Sequence, residues 1–170
     1  MSILTEAEIA DLLADPKPVS QNQVATLLSP RHPQGHDLYA RVYVQSLHRR
    51  KFQLTARRGN GGLPHDFCLF LSLGQRQQQC KLIRCDGFHE RHVNWHETRQ
   101  HAGITEVPAD TFHVHHITER YQRAKRDPLG YAYPTEDFWS FHSAVHFLCT
   151  HFGCYDPASP YPGGQRHPLL

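Results

Sequence analysis

Between residues 38 and 85, apolar and polar side chains alternate in short runs, the period of two that belongs to a pleated strand. Leu38, Ala40, Val42 and Val44 interleave with Tyr39, Arg41, Tyr43 and Gln45, so each set lines one face. Residues 52–57 repeat the pattern. Residues 67–73 are almost wholly apolar, which predicts a central strand covered on both sides. A fourth strand is predicted over 81–85. The turn at Gly59-Asn60-Gly61-Gly62 and the polar stretch 74–79 are short, and short connections favour an antiparallel meander. Further on, Phe112-His113-Val114-His115 alternates again, sending both histidines to one face.

Helical spacing flanks these strands. Ile3, Leu4, Ala7, Ala10 and Leu13 predict a short helix that opens near Thr5 and stops before Pro16-Lys17-Pro18. Residues 19–28 carry no clear period, and 29–35 read as loop from their proline and glycine content. Thr118 suits the cap of a brief helix through Gln122. Phe138, Phe141, Val145, Leu148 and Phe152 form one stripe of a helix over 135–152, with Gly153 at its C-terminal cap. Together these elements predict an α+β fold: an antiparallel four- to five-stranded sheet packed by a C-terminal helix, with a short N-terminal helix. Residues 1–28 form the expected helical segment, 36–155 the single domain, and 156–170 a flexible Pro/Gly tail. The histidine group is expected at the sheet edge or on the face away from the C-terminal helix.

Charge changes this picture only locally. A net charge of +2 argues weakly for a polyanionic partner. His48-Arg49-Arg50-Lys51, Arg57-Arg58 and the trio Arg123, Lys125 and Arg126 are basic clusters that can hold phosphates or form a solvated face. The five cysteines are odd in number and lack a Cys-x-x-Cys pair, which points to a reducing, cytoplasmic setting. The N-terminus has neither the basic start nor the apolar stretch of a signal peptide, and no window reaches membrane-spanning length.

The chemistry lies in histidine. Seven of the fifteen histidines fall between His89 and His116, interleaved with aromatic, aliphatic and arginine residues. Such interleaving belongs to a folded site rather than a bare tract. One use is metal binding: His113 and His115 aim two imidazoles to one side, and His89, His92 or His96 supplies a third ligand from the preceding loop for a divalent ion such as zinc, with His89 the first choice. Another needs no cofactor. Histidines 113 and 115, with His89 and His92 opposite, can move protons during RNA cleavage, while Arg120 grips phosphate and Tyr121 stacks a base or donates a hydrogen bond. Glu119 can orient a histidine or act as base. The remaining histidines, such as His32, His65 and His142, read as ordinary core or surface residues. His116-Ile117-Thr118 also fits one half of a two-histidine phosphoesterase, but His96-Glu97-Thr98 makes a poor second half.

The pieces Arg84-Cys85-Asp86-Gly87-Phe88-His89-Glu90-Arg91-His92-Val93-Asn94 and Phe112-His113-Val114-His115-His116-Ile117-Thr118-Glu119-Arg120-Tyr121-Gln122 resemble a small family of prokaryotic proteins. That family is similar in layout to the TumE-like toxins of toxin–antitoxin pairs. The resemblance covers the middle and C-terminal two-thirds, and Thr-Glu-Arg-Tyr-Gln is its specific part. It implies a mobile-element or defence setting and, by association, a nucleic-acid substrate. His92, Asn94, His113, His115, Glu119, Arg120 and Tyr121 are the matching positions. His116 and the insertion over 95–108 depart from the pattern.

The expectation is therefore a toxin-like ribonuclease without a cofactor. Its catalytic residues would be His92, His113, His115, Glu119, Arg120 and Tyr121. His89, Arg91, Asn94, His116 and Arg123 would bind substrate. Its partners would be RNA or other nucleic acid and a cognate antitoxin protein, with a homo-oligomer open and no membrane. Two other readings stay open: a binding module for nucleic acid or protein, and a metal-dependent hydrolase.

Overall fold

The strands of the computed structural model form one seven-stranded antiparallel sheet and two small pairs; the structure describes residues 2–61, 63–74, 79–97, 103–125 and 127–158. The meander is β3 (Asp37–Gln45), β4 (Lys51–Gly59), β5 (Phe67–Leu73) and β6 (Cys80–Asp86), each antiparallel to the next. Next to β6 come β9 (His113–His116) and then β10 (Tyr131–Pro134). At the far edge β2 (His32–Gln34) pairs with β3. The class is α+β, with more strands than the expected four or five. Two additions account for the difference. The stretch around Pro33 reads as loop, yet at a sheet edge proline leaves no ladder bond unmade. The short run at 131–134 has too little alternation to register on its own.

Helix α1 (Glu6–Ala14) is opened by Thr5 and Glu8 in a reciprocal capping box, as the sequence suggests. Residues 19–28 turn out to hold α2 (Gln21–Leu28), set by the same device from Ser20 and Gln23. Helix α3 (Glu119–Arg123) is capped by Thr118. The C-terminal helix α4 (Phe141–Thr150) is shorter than its apolar stripe predicts. It begins only where Ser140 can cap it, because Thr135 and Asp137 bond each other in a local turn before it. Phe138 still reaches the core from that turn, being 1% exposed. The predicted tail beyond 158 lies outside the described residues.

The pleat gives the sheet two unlike faces. Val42, Leu54, Leu69, Cys85 and Val114 share one face, and they join residues of α1, α2 and α4 in a single apolar core. Each fully buried aliphatic or aromatic side chain there contributes roughly 1.5–3 kcal/mol. The opposite face carries Tyr39, Arg41, Thr55, Arg57, Phe70, Arg84, Asp86, His113 and His115. A hairpin of β7 (His92–Val93) and β8 (Glu106–Val107) lies beside β10. Finally, β1 (Lys17–Pro18) pairs in parallel with β11 (Cys154–Tyr155), tying the start of the chain to the end of α4. No helix of the described residues is long and apolar enough to cross a membrane.

Candidate metal centre

Two adjacent strands build the site. On β6, Arg84 and Asp86 point to the open face while Cys85 points to the core; on β9, His113 and His115 do so while Val114 turns inward. Asp86 sits directly opposite His113, and Arg84 opposite His115. Gly87 then lets the chain leave β6 tightly, since a Cβ there would run into the His65 carbonyl oxygen. That exit swings His89 back over Asp86.

Four groups converge. Asp86 Oδ2 lies 3.2 Å from His115 Nε2, 3.3 Å from His89 Nε2 and 3.5 Å from His113 Nε2. The ligand atoms of Asp86, His89, His113 and His115 all lie within 4.8 Å of one another. The other ring nitrogen of each histidine is committed. His113 Nδ1 donates to the Thr111 carbonyl, His115 Nδ1 to the Leu129 carbonyl and His89 Nδ1 to the Glu90 carbonyl, each at 2.8 Å. A carbonyl can only accept, so each Nδ1 carries a proton and each Nε2 is the ring atom left to face the carboxylate. His113 Nε2 and His115 Nε2 are buried and make no hydrogen bond among the described residues, despite their nearness to Asp86.

Electrostatics follow from that crowding. Burial pushes the Asp86 carboxyl up, but His113, His115, His89 and Arg84 outweigh it and hold the group well below the usual carboxylate range. The bond to Asp86 raises His89, whereas burial lowers His115. Arg84 Nε lies 2.8 Å from Asp86 Oδ1 and 2.7 Å from Oδ2, so it grips both oxygens of the carboxylate. Asp86 and His89 also line a cavity of about 380 Å³ on the open face, with Arg57, Arg84, Phe70 and Phe88 among its other walls. His89, with 37% of its side chain exposed, is the member of the cluster nearest solvent.

The structure sorts the residues singled out by sequence into several places. His89, His113 and His115 come together. His92 stands beside them, its ring 4.7 Å from that of His115, and its Nε2 donates to the Gly130 carbonyl. Asn94 is 1% exposed and spends its amide on the backbone of Ala132 and Ile104. Arg91 pairs with Glu106 at the surface. His116 points to the core face, against Tyr131 and Tyr133, where burial pushes it down to about 4. The Thr-Glu-Arg-Tyr-Gln segment forms a cluster of its own. Glu119 holds Arg123 and accepts from the Glu6 N–H, Arg120 pairs with Glu97, and the Tyr121 hydroxyl accepts from the His96 N–H. Asp86 and Arg84 are site residues that the sequence reading lacks, and Arg57 enters that reading only as part of a basic cluster. Their signal was present: Arg84-Cys85-Asp86 alternates in the same sense as His113-Val114-His115.

No protein-family model, curated protein or solved structure matches the chain.

Proposed function

We propose that the chain is a metal-dependent hydrolase of phosphate esters, with one divalent transition-metal ion held by Asp86, His89, His113 and His115. The observation that carries this reading is the convergence of ligand atoms: three imidazole Nε2 atoms, on rings whose Nδ1 protons are spent on backbone carbonyls, face one carboxylate. Acceptors turned on one another repel unless a cation or protons lie between them. A single dication satisfies all four groups at once, whereas three imidazoliums would crowd like charges into a buried space. The spacing suits a metal as well. Ligands about 2.0–2.1 Å from a tetrahedral ion stand about 3.3 Å apart, close to the 3.2–3.5 Å found around Asp86. The backbone bonds at Nδ1 are the outer support that metal-bound histidines usually carry. Three imidazoles and a carboxylate suit zinc, iron or nickel.

Held there, such an ion lowers the pKa of a bound water toward neutrality. Arg57, held by Asp37 and Asp66, and Arg84, held by Asp86, stand in the cavity wall, and a phosphate there would share their planar guanidiniums with those carboxylates. In the reaction the hydroxide oxygen bonds to phosphorus and the ester P–O bond breaks. Its electron pair stays on the leaving oxygen, which takes a proton from water.

Metal-free RNA cleavage ranks second, because His113 and His115 are each 2% exposed and face Asp86 rather than the cavity mouth. Five free thiols fit a reducing compartment, and a cytoplasmic toxin-like setting stands as part of the same proposal.

Metal content and activity test the reading together. Purified protein should carry about one ion per chain by elemental analysis, as one four-ligand cluster among the described residues requires. It should hydrolyse bis-p-nitrophenyl phosphate. Chelation should abolish the activity and zinc, manganese or iron restore it; Asp86→Asn and His115→Ala should lose both ion and activity. Folded protein that takes up none of these ions sinks the proposal. Cleavage of RNA that persists in chelator selects the metal-free mechanism instead.

A further inference from the structure

The open face of the sheet does not end at the metal centre. Its side chains form rows across the strands. One runs Tyr39, Arg57, Cys68, Asp86, His113; the next runs Arg41, Thr55, Phe70, Arg84, His115; a third runs Tyr43, Gln53, Ser72, Lys81. Rings and cations of neighbouring rows touch. The Arg41 guanidinium lies 5.4 Å from the Tyr39 ring, and Lys81 Nζ lies 4.4 Å over Phe70. Arg41 and Lys81 make no ion pair among the described residues, and both are exposed. Tyr43 is 49% exposed. The apolar core and the three longer helices all lie on the other side.

We infer that this face binds single-stranded nucleic acid and leads its backbone to the metal centre. This deepens the phosphate-ester reading above and rests on it for the fate of the bound strand. Exposed cations without an acidic partner, beside rings, are what a single strand needs. Phosphates meet Arg41 and Lys81, and unpaired bases stack on Tyr39 or Tyr43. A duplex hides the faces of its bases and gains only the charge contacts. The path length is adequate. Strands stand about 4.8 Å apart, so β3 lies about 14 Å from β6 and about 19 Å from β9, a span of a few nucleotides. Rows two and one end on the cavity and its ligands.

The test uses full-length protein in chelator, so that nothing is cut. Fluorescence anisotropy is read with labelled oligouridine and oligothymidine of about twelve nucleotides, and with a duplex of equal length. Both single strands should bind more tightly than the duplex. Tighter binding of the RNA alone would assign the platform to RNA; equal binding assigns it to either chemistry. Arg41→Glu with Lys81→Glu should weaken binding at least tenfold and lower the slope of log K against log salt by about 1.4. Tyr43→Ala should weaken it about tenfold and Tyr43→Phe very little. None of these exposed variants should change hydrolysis of bis-p-nitrophenyl phosphate. Strands that do not bind, or that bind the variants equally well, overturn the inference while metal-dependent ester hydrolysis stands. Strands that bind as expected to a protein that takes up no metal leave the platform in place and remove the hydrolase.

Discussion

Asn94 shows how much one side chain can carry. Its Nδ2 donates to the Ile104 and Ala132 carbonyls at 2.5 and 2.7 Å, and its Oδ1 accepts from the Ala132 N–H at 2.8 Å. It thus closes both backbone groups of a fully buried residue on β10 and holds the β7 hairpin against the sheet. Asn94→Ala leaves those groups unpaired, which costs about 2–4 kcal/mol. Urea unfolding monitored by far-ultraviolet dichroism should show it as a lower midpoint at unchanged slope; a midpoint equal to that of the parent refutes the pinning role. The loss should precede any effect on catalysis, since Asn94 is spent on backbone. Such a role was hidden in the sequence, where an asparagine near histidines reads as a polar contact for substrate. Asp86 was hidden for a related reason. Before glycine, aspartate reads as a turn former, and only the pairing of β6 with β9 sets it opposite His113. The histidines were legible because alternation alone puts His113 and His115 on one face. What alternation cannot supply is the partner strand.

At the scale of elements, Lys17 joins the two ends of the helical layer. It is wholly buried, and its Nζ donates to the carbonyls of Leu12, Leu13 and Asp15 at the end of α1 and to that of Phe152 after α4. A cation at those carbonyl ends is favoured by the helix dipole as well as by the bonds. Lys17→Met fills the space but leaves the carbonyls unpaired, and should cost roughly 2–4 kcal/mol near neutral pH. The cost should change with pH. Burial pushes the ammonium down to about 8, against smaller upward pulls from Cys154 and Asp15. An unfolded lysine titrates near 10.4. Between these values the unfolded chain holds a proton that the folded one has released, so this group adds stability as pH rises through the window. Below about 8 that contribution is gone. Denaturant titrations of parent and variant at about pH 7 and about pH 10 should show their difference growing with pH, by at most roughly 3 kcal/mol. A constant difference would mean that the folded lysine keeps its ordinary affinity for the proton. Elements such as these were partly legible. Strands β3 to β6 follow from period-two patterning within a residue or two, and α1 from its cap. The start of α4 was misplaced because Phe138 continues the apolar stripe from a turn, where packing needs the ring but not the helix.

For the whole molecule, the decisive feature is that one sheet serves two solvents: an apolar core on one side and a polar, histidine-bearing face on the other. The four proposed ligands come from β6, β9 and the segment after Gly87, so they meet only when the sheet has formed. An ion that binds this assembled set and not the open chain must stabilise the fold, by RT ln(1 + [M]/Kd). At free zinc about 100-fold above Kd the gain is about 2.7 kcal/mol, or about 5–10 °C in melting temperature for a domain of this size. Scanning calorimetry of stripped protein with increasing zinc should show a steady climb, reversed by chelator. Asp86→Asn should flatten the climb, because the amide loses the charge that draws three lone pairs to one point. Unfolded histidines also bind zinc weakly, which trims the shift in parent and variant alike and leaves their difference intact. Arg41→Glu, on the same face but away from the ligands, should keep the full climb. A climb equal in parent and Asp86→Asn would place the ion elsewhere and leave the converging imidazoles as a structural knot. A climb lost in Asp86→Asn and kept in Arg41→Glu ties the metal and sheet closure into one thermodynamic unit.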